Sequence, residues 1–221
     1  MKNLQLQLSI RNSDIVGHIP NFLSEDEVYQ VKELNSSREW KMAGTRWSHG
    51  DLSVRYSKKL NQINFPFYDR LYDAVSLYNK KSYNLHIYPN RSQHEINWVR
   101  YDKKGMFFTA HRDHRPCLSN FLNKESVRKI SCSIQLTHPW HYEGGDLKVA
   151  ETFTHPDVYM DSSNPPKWIK HKEKFRHNFD TIKKCGSITM FTSIHEHEST
   201  PLISGARDVV VVFIRGESSG Y

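Results

Sequence analysis

YDKKGMFFTAHRDH, residues 101–114, is the stretch on which the fold turns. It reads as a β-run, and strand side chains alternate faces. His111 and Asp113 therefore project one way, while Arg112 and His114 project the other. An imidazole and a carboxylate on one face are two of the three ligands of a facial triad, an arrangement suited to non-haem Fe(II). The chain holds 13 histidines, so one such pair can arise by chance. The reading depends on whether a second histidine and an anion anchor follow at sensible places.

Both follow. FTSIHEHESTPLISGARDVVVVFIRG, residues 191–216, offers His195 and His197, which share a face if extended. It then places Arg207 at the start of a strongly β-forming run. Arginine presents a rigid fork that pairs bidentately with a carboxylate. A barrel in which His111, Asp113 and either histidine converge, with Arg207 deeper inside, would hold a metal with open positions and a cation for a chelating keto acid.

The rest of the chain frames that region. Its 221 residues fit a single domain, 1–221, and its 37% hydrophobic content supplies a core. From Tyr83 onward the segments YNLHIY, EINWVRY, MFFTAHRD, KISCSIQL, DLKVAE, GSITMF and RDVVVVFI read as strands. Asn90, Gly105, Gly144-Gly145, Gly186 and Gly205 separate them as turn signals. Before them come two helices. Ser24 and Glu27 form a capping box that opens one over about 25–36, and Phe67, Leu71, Ala74, Val75 and Tyr78 fall at helical spacing over about 66–80. The expected class is α+β, mainly β, with residues 1–82 as a helical buttress and 83–221 as the strand core. The interval 148–185, 38 residues with Pro156, Pro165 and Pro166, is longer than an ordinary connection and marks an insertion.

Composition narrows the function classes. No apolar run is long enough to span a bilayer, and the first 20 residues lack a signal peptide's apolar region. Three cysteines, Cys117, Cys132 and Cys185, have no C-x-x-C spacing, which argues against a disulfide framework and for a cytoplasmic setting. The net charge of +7 is partly local, with seven Lys/Arg between Lys167 and Lys184. That density suits a solvated loop or a surface meeting an acidic partner. No zinc finger, helix-turn-helix or RNP pattern accompanies it, so nucleic acid is disfavoured.

From Trp98 to Gly216 the chain resembles the Fe(II)/2-oxoglutarate-dependent dioxygenases, in particular their prolyl 4-hydroxylase-like branch. The resemblance is carried by YDKKGMFFTAHRD, by RKISCSIQLTHPWHYEGGDL and by GSITMFTSIHEHESTPLISGAR, and NFLSEDEV resembles that branch's opening helix. It implies a double-stranded β-helix (jelly roll) with iron held by His111, Asp113 and a distal histidine. The family's distal ligand lies four residues before a proline and about ten before the basic anchor, which selects His197, with Pro201 and Arg207, over His195. By the same resemblance Arg207 anchors 2-oxoglutarate, and Tyr101 places a hydroxyl near co-substrate or substrate. Leu147, after the Gly144-Gly145 turn, lies against the co-substrate. Gln135 stands where relatives often carry a keto-acid-contacting tyrosine, and Val209 where some carry a hydroxyl.

Fe(II), 2-oxoglutarate and O2 are thereby implied, with ascorbate as a further cofactor. The expected activity is hydroxylation of an unactivated C–H, first of a prolyl residue in a peptide or protein, alternatively of a free amino acid or other small molecule. Nucleic-acid demethylation is disfavoured because Arg207 lacks the R-x-N-x-x-x-x-x-R spacing. A non-catalytic cupin-like binding module is the competing reading from another class.

Overall fold

Alternating hydrophobicity in the second half of the chain produces antiparallel ladders, and the helices cover one face of them. The computed structural model describes residues 16–43, 55–114, 126–150 and 183–217, together with the backbone of 175–176. In chain order the first elements are β1 (Val16–Ile19), α1 (Glu25–Glu33), β2 (Lys41–Met42), β3 (Arg55–Tyr56), β4 (Lys58–Leu60) and α2 (Tyr68–Ser82). Then come β5 (Glu95–Tyr101), β6 (Phe107–His111), β7 (Val127–Gln135), β8 (Tyr142–Gly144), β9 (Leu147–Ala150) and β10 (Phe175–Arg176). The last are β11 (Ile188–Thr192), β12 (His197–Ser199), β13 (Leu202–Gly205) and β14 (Arg207–Gly216).

A major sheet runs β1-β11-β7-β14-β5-β4-β2, a minor sheet β10-β9-β12-β6-β3, and β13 pairs with β8 at one end. Every ladder among the described residues is antiparallel. Two facing antiparallel sheets of this kind make a jelly roll.

Period-2 alternation sorts the major sheet into two faces. The outer face carries Ile96, Trp98, Ile130, Cys132, Ile134, Ile188, Met190, Val210, Val212 and Ile214. These are buried in one cluster with Val28 and Val31 of α1 and with Leu71, Ala74, Val75 and Tyr78 of α2. The inner face carries Val99, Tyr101 and Val209, which join Met106, Tyr142 and Leu202 in a second, smaller core at one end of the barrel. Helix α1 begins at the expected capping box. Ser24 Oγ accepts from Glu27 N at 3.2 Å, and Ser24 N donates to the Glu27 carboxylate at 2.9 Å.

Two expectations need correction. Residues 83–88, read as a strand, form none. Asn84 has φ 51, and the Asn79 side chain holds Leu85 at both its N–H (2.9 Å) and its carbonyl (2.7 Å), so the chain turns before it can pair. Conversely, residues 1–82 are more than a helical buttress: β1, β2 and β4 extend the major sheet and β3 the minor one. Strands of two to four residues carry too few alternating positions to be legible as a period. Most of the 148–185 insertion and of the Lys167–Lys184 run lies outside the described residues, as does Cys117. Cys132 and Cys185 are free thiols. Among the described residues no helix is long and apolar enough to cross a membrane.

Candidate metal centre

Strand β6 ends at His111 rather than continuing through Asp113, yet both side chains reach one point. His197 on β12 stands opposite His111 in the ladder. One metal-ligating atom each from His111, Asp113 and His197 lies within 4.8 Å of the others. His111 Nε2 is 3.6 Å from Asp113 Oδ1, and His197 Nε2 is 3.2 Å from Asp113 Oδ2.

The donor chemistry fits a cation. His111 Nδ1 donates to the Thr109 carbonyl at 2.7 Å, and His197 Nδ1 donates to the His195 carbonyl at 3.0 Å. Carbonyl oxygens only accept, so in each neutral ring the proton sits on Nδ1 and the Nε2 lone pair faces the carboxylate. Lone pairs facing lone pairs in a buried site require a proton or a metal ion between them. Two imidazoles and one carboxylate suit Fe(II) among the first-row divalent metals.

The electrostatics agree. Burial pushes His111 down to about 4, helped by repulsion from His197 and opposed by Asp113, so its ring is neutral at pH 7. Burial alone would raise Asp113, but the two histidines hold it well below the ordinary carboxylate range. Burial lowers His197, but the charge and hydrogen bond of Asp113, with the His195 carbonyl and Glu196, together raise it above the ordinary imidazole value, and a metal ion bound at its Nε2 would compete with that proton. Ser131 Oγ donates to Asp113 Oδ2 at 2.7 Å and lies 2.8 Å from Ser193 Oγ. Each hydroxyl has one proton, so Ser193 is the donor to Ser131.

His195 stays outside the cluster. It is buried, with Nδ1 2.5 Å from Thr192 Oγ1 and its ring edge-on to Tyr83. His114 is likewise buried elsewhere, its backbone N–H bonded to the Ser193 carbonyl.

Arg207 is 2% exposed, and among the described residues its guanidinium donates to neutral oxygens, Gln135 Oε1 at 3.3 Å and Ser199 Oγ at 3.2 Å. Tyr101 pairs with it across the β5–β14 ladder and lies beneath the guanidinium at 5.6 Å. Leu147 stands opposite Ser199, and a Cβ at Gly145 would come up against the Arg207 chain at 3.3 Å. Among the described residues no carboxylate pairs with Arg207, a buried cation that is costly unless an anion joins it. Gln135, expected to meet the keto acid, here orients the arginine. Ser131 and Ser193 were not singled out from the sequence. The signal was the alternation of Ser131, Ser133 and Gln135 with Ile130, Cys132 and Ile134, a polar lining on one face of a buried strand.

No protein-family model matches the chain. A PKHD-type hydroxylase of Acinetobacter baylyi is 24% identical over 148 residues, 66% of this chain, and the match spans 64% of that relative's length. Among solved structures, a Pseudomonas putida prolyl-4-hydroxylase superposes with a TM-score of 0.58 at 17% identity, covering 91% of this chain and 92% of that one. A Trichoplax adhaerens prolyl hydroxylase, solved with a hypoxia inducible factor oxygen degradation domain peptide fragment, gives 0.58 at 18%, covering 92% and 84%. Sequence relative, jelly-roll fold and His-Asp-His cluster together make the chain similar to the Fe(II)/2-oxoglutarate-dependent dioxygenases, in particular to their prolyl 4-hydroxylase-like branch.

Proposed function

We propose that this chain is an Fe(II)- and 2-oxoglutarate-dependent hydroxylase that acts on a prolyl residue of a peptide or protein. The observation that carries the reading is the pairing of a buried His111–Asp113–His197 cluster with a buried Arg207 that meets no carboxylate among the described residues. In this reading His111 Nε2, an Asp113 oxygen and His197 Nε2 hold the iron. Arg207 takes the distal carboxylate of 2-oxoglutarate, with Tyr101 and Leu147 beside it and Gln135 and Ser199 fixing its fork. When bound, iron and keto acid supply the oxidation: 2-oxoglutarate loses CO2 and becomes succinate with one oxygen atom of O2, and the other atom enters the substrate's C–H bond as hydroxyl. The protein's own part is placement and exclusion of water. Ser131 holds Asp113 in one orientation, the backbone carbonyls of Thr109 and His195 fix both histidine tautomers, and the Tyr101–Val209 core closes the barrel behind Arg207.

Support for a prolyl substrate comes from the neighbours named above, two of which are prolyl hydroxylases, one solved with a peptide. The test is incubation with Fe(II), 2-oxoglutarate, O2 and ascorbate against a panel of proline-containing peptides, read by succinate formation and by a one-oxygen mass gain. The expected result is peptide-stimulated succinate with the oxygen on proline, abolished in Asp113→Ala and His197→Ala. Full turnover in the His197 variant would overturn the site. Oxygen on a free amino acid but on no peptide would favour the small-molecule alternative.

A further inference from the structure

The segment Arg55–Leu60 crosses from one sheet to the other, because β3 pairs with β6 and β4 with β5. Its alternate side chains therefore enter the barrel. Arg55 stands opposite Phe108, and Lys59 opposite Val99 of the inner core. Phe108 shares a face with His111, three residues on, because the β6–β12 ladder shifts register between His197 and Ser199. The Phe108 and His111 rings consequently stack at 3.5 Å, and the Arg55 guanidinium lies 4.4 Å from the Phe108 centroid. Arg55 Nε donates to Ser57 Oγ at 2.9 Å, a neutral partner.

Lys59 completes the pair. Burial, then Arg55, pulls its amine down to about 8, with Glu95 and Asp113 pulling the other way. Asp113 acts on Arg55 as well, so both cations feel the metal cluster. Neither is ion-paired among the described residues. Their surroundings show what pairing looks like: Lys58 holds Asp102 at 2.6 Å, and Arg128 and Arg215 share Glu95 at 2.7 Å each.

Loading the site does not remove this excess. The charge of Fe(II) is matched by that of the 2-oxoglutarate dianion, and Asp113 matches Arg207. Among the described residues, two half-buried cations beside the reaction centre remain without a counter-charge, a costly arrangement unless an anion arrives.

Resting on the dioxygenase reading above, we propose that Arg55 and Lys59 form a carboxylate-binding subsite for the substrate, so that the hydroxylated carbon belongs to a molecule bearing a carboxylate close to it. That carboxylate has two possible sources, the α-carboxylate of an amino acid or the side chain of an acidic residue adjoining the target.

The test uses wild-type protein loaded anaerobically with Fe(II) and 2-oxoglutarate. Lys59 acetylation by acetic anhydride is followed by peptide mass spectrometry near its pKa of about 8. Probes are L-proline against L-prolinamide, and acetyl-Gly-Pro-Asp-amide against acetyl-Gly-Pro-Asn-amide. At least one carboxylate probe should slow Lys59 labelling about fivefold or more, while its amide partner leaves it unchanged. Arg55→Gln should abolish that protection and Arg55→Lys retain part of it. Protection by proline alone identifies an α-carboxylate, and protection by the Asp peptide alone an acidic neighbour. Equal protection by acid and amide, or none by any probe, overturns the subsite while substrate-free turnover of 2-oxoglutarate in the same preparation leaves the dioxygenase reading standing. Absence of that turnover removes the reading and the subsite together.

Discussion

Ser131 Oγ and Asp113 Oδ2 lie 2.7 Å apart across the barrel interior, joining the centre of β7 to the carboxylate that lies between two histidines. The serine is 1% exposed, so no water can replace its hydroxyl without a rearrangement. Ser131→Ala should weaken Fe(II) binding about tenfold while leaving thermal stability of the metal-free protein nearly unchanged. Anaerobic iron titration alongside a melting curve separates these effects, and Ser131→Thr, which keeps the hydroxyl, should recover part of the affinity.

Arg207 tests the other half of the site. Because among the described residues its guanidinium meets neutral oxygens alone, Arg207→Ala should raise the 2-oxoglutarate requirement about tenfold or more with iron affinity little altered. Steady-state succinate formation as a function of 2-oxoglutarate reads the change. A purely structural arginine would instead lower stability and leave the KM alone.

Glu95 predicts a pH dependence of stability. Burial alone would raise its pKa, but hydrogen bonds and charge from Arg128 and Arg215 hold it below 4.5. A carboxylate with a depressed folded pKa stabilises the fold fully above its unfolded value, and this contribution is lost as pH falls through the folded value. The protein should therefore lose stability below pH ~4.5, and Glu95→Gln should flatten that slope. At neutral pH the same variant should cost about 1–3 kcal/mol, because two arginines lose their shared acid. Urea unfolding at several pH values measures both.

Gly186 is a backbone requirement. Its φ is +76, its N–H donates to the Gln135 carbonyl at 2.8 Å and its carbonyl accepts from Leu23 N at 2.8 Å, while a side chain would meet the Leu23 carbonyl. Gly186→Ala should destabilise the protein by roughly 2–4 kcal/mol, visible as a lowered melting temperature.

The legible parts of this chain were those with long period or strong local chemistry. Ser24 and Glu27 announced α1, the run Arg207–Gly216 announced a central strand, and H-x-D with a distal histidine pointed to the cluster that the fold assembles. What the sequence hid has physical causes. Arg55 and Lys59 sit on strands of two and three residues, too short to show a period. Phe108 joins the face of His111 only through a register shift, which alternation cannot foretell. Asn79 stops a strand at 83–88 by side-chain hydrogen bonds that exist only once α2 has formed.

The central claim is that His111, Asp113 and His197 hold iron and His195 does not. Anaerobic titration of Fe(II) into protein with 2-oxoglutarate, followed by the visible metal-to-keto-acid charge-transfer band, tests it most directly. The band should saturate at a single iron per chain in the wild type and in His195→Ala, and be absent in Asp113→Ala and His197→Ala. An undiminished band in His197→Ala, or its loss in His195→Ala alone, would contradict the assignment.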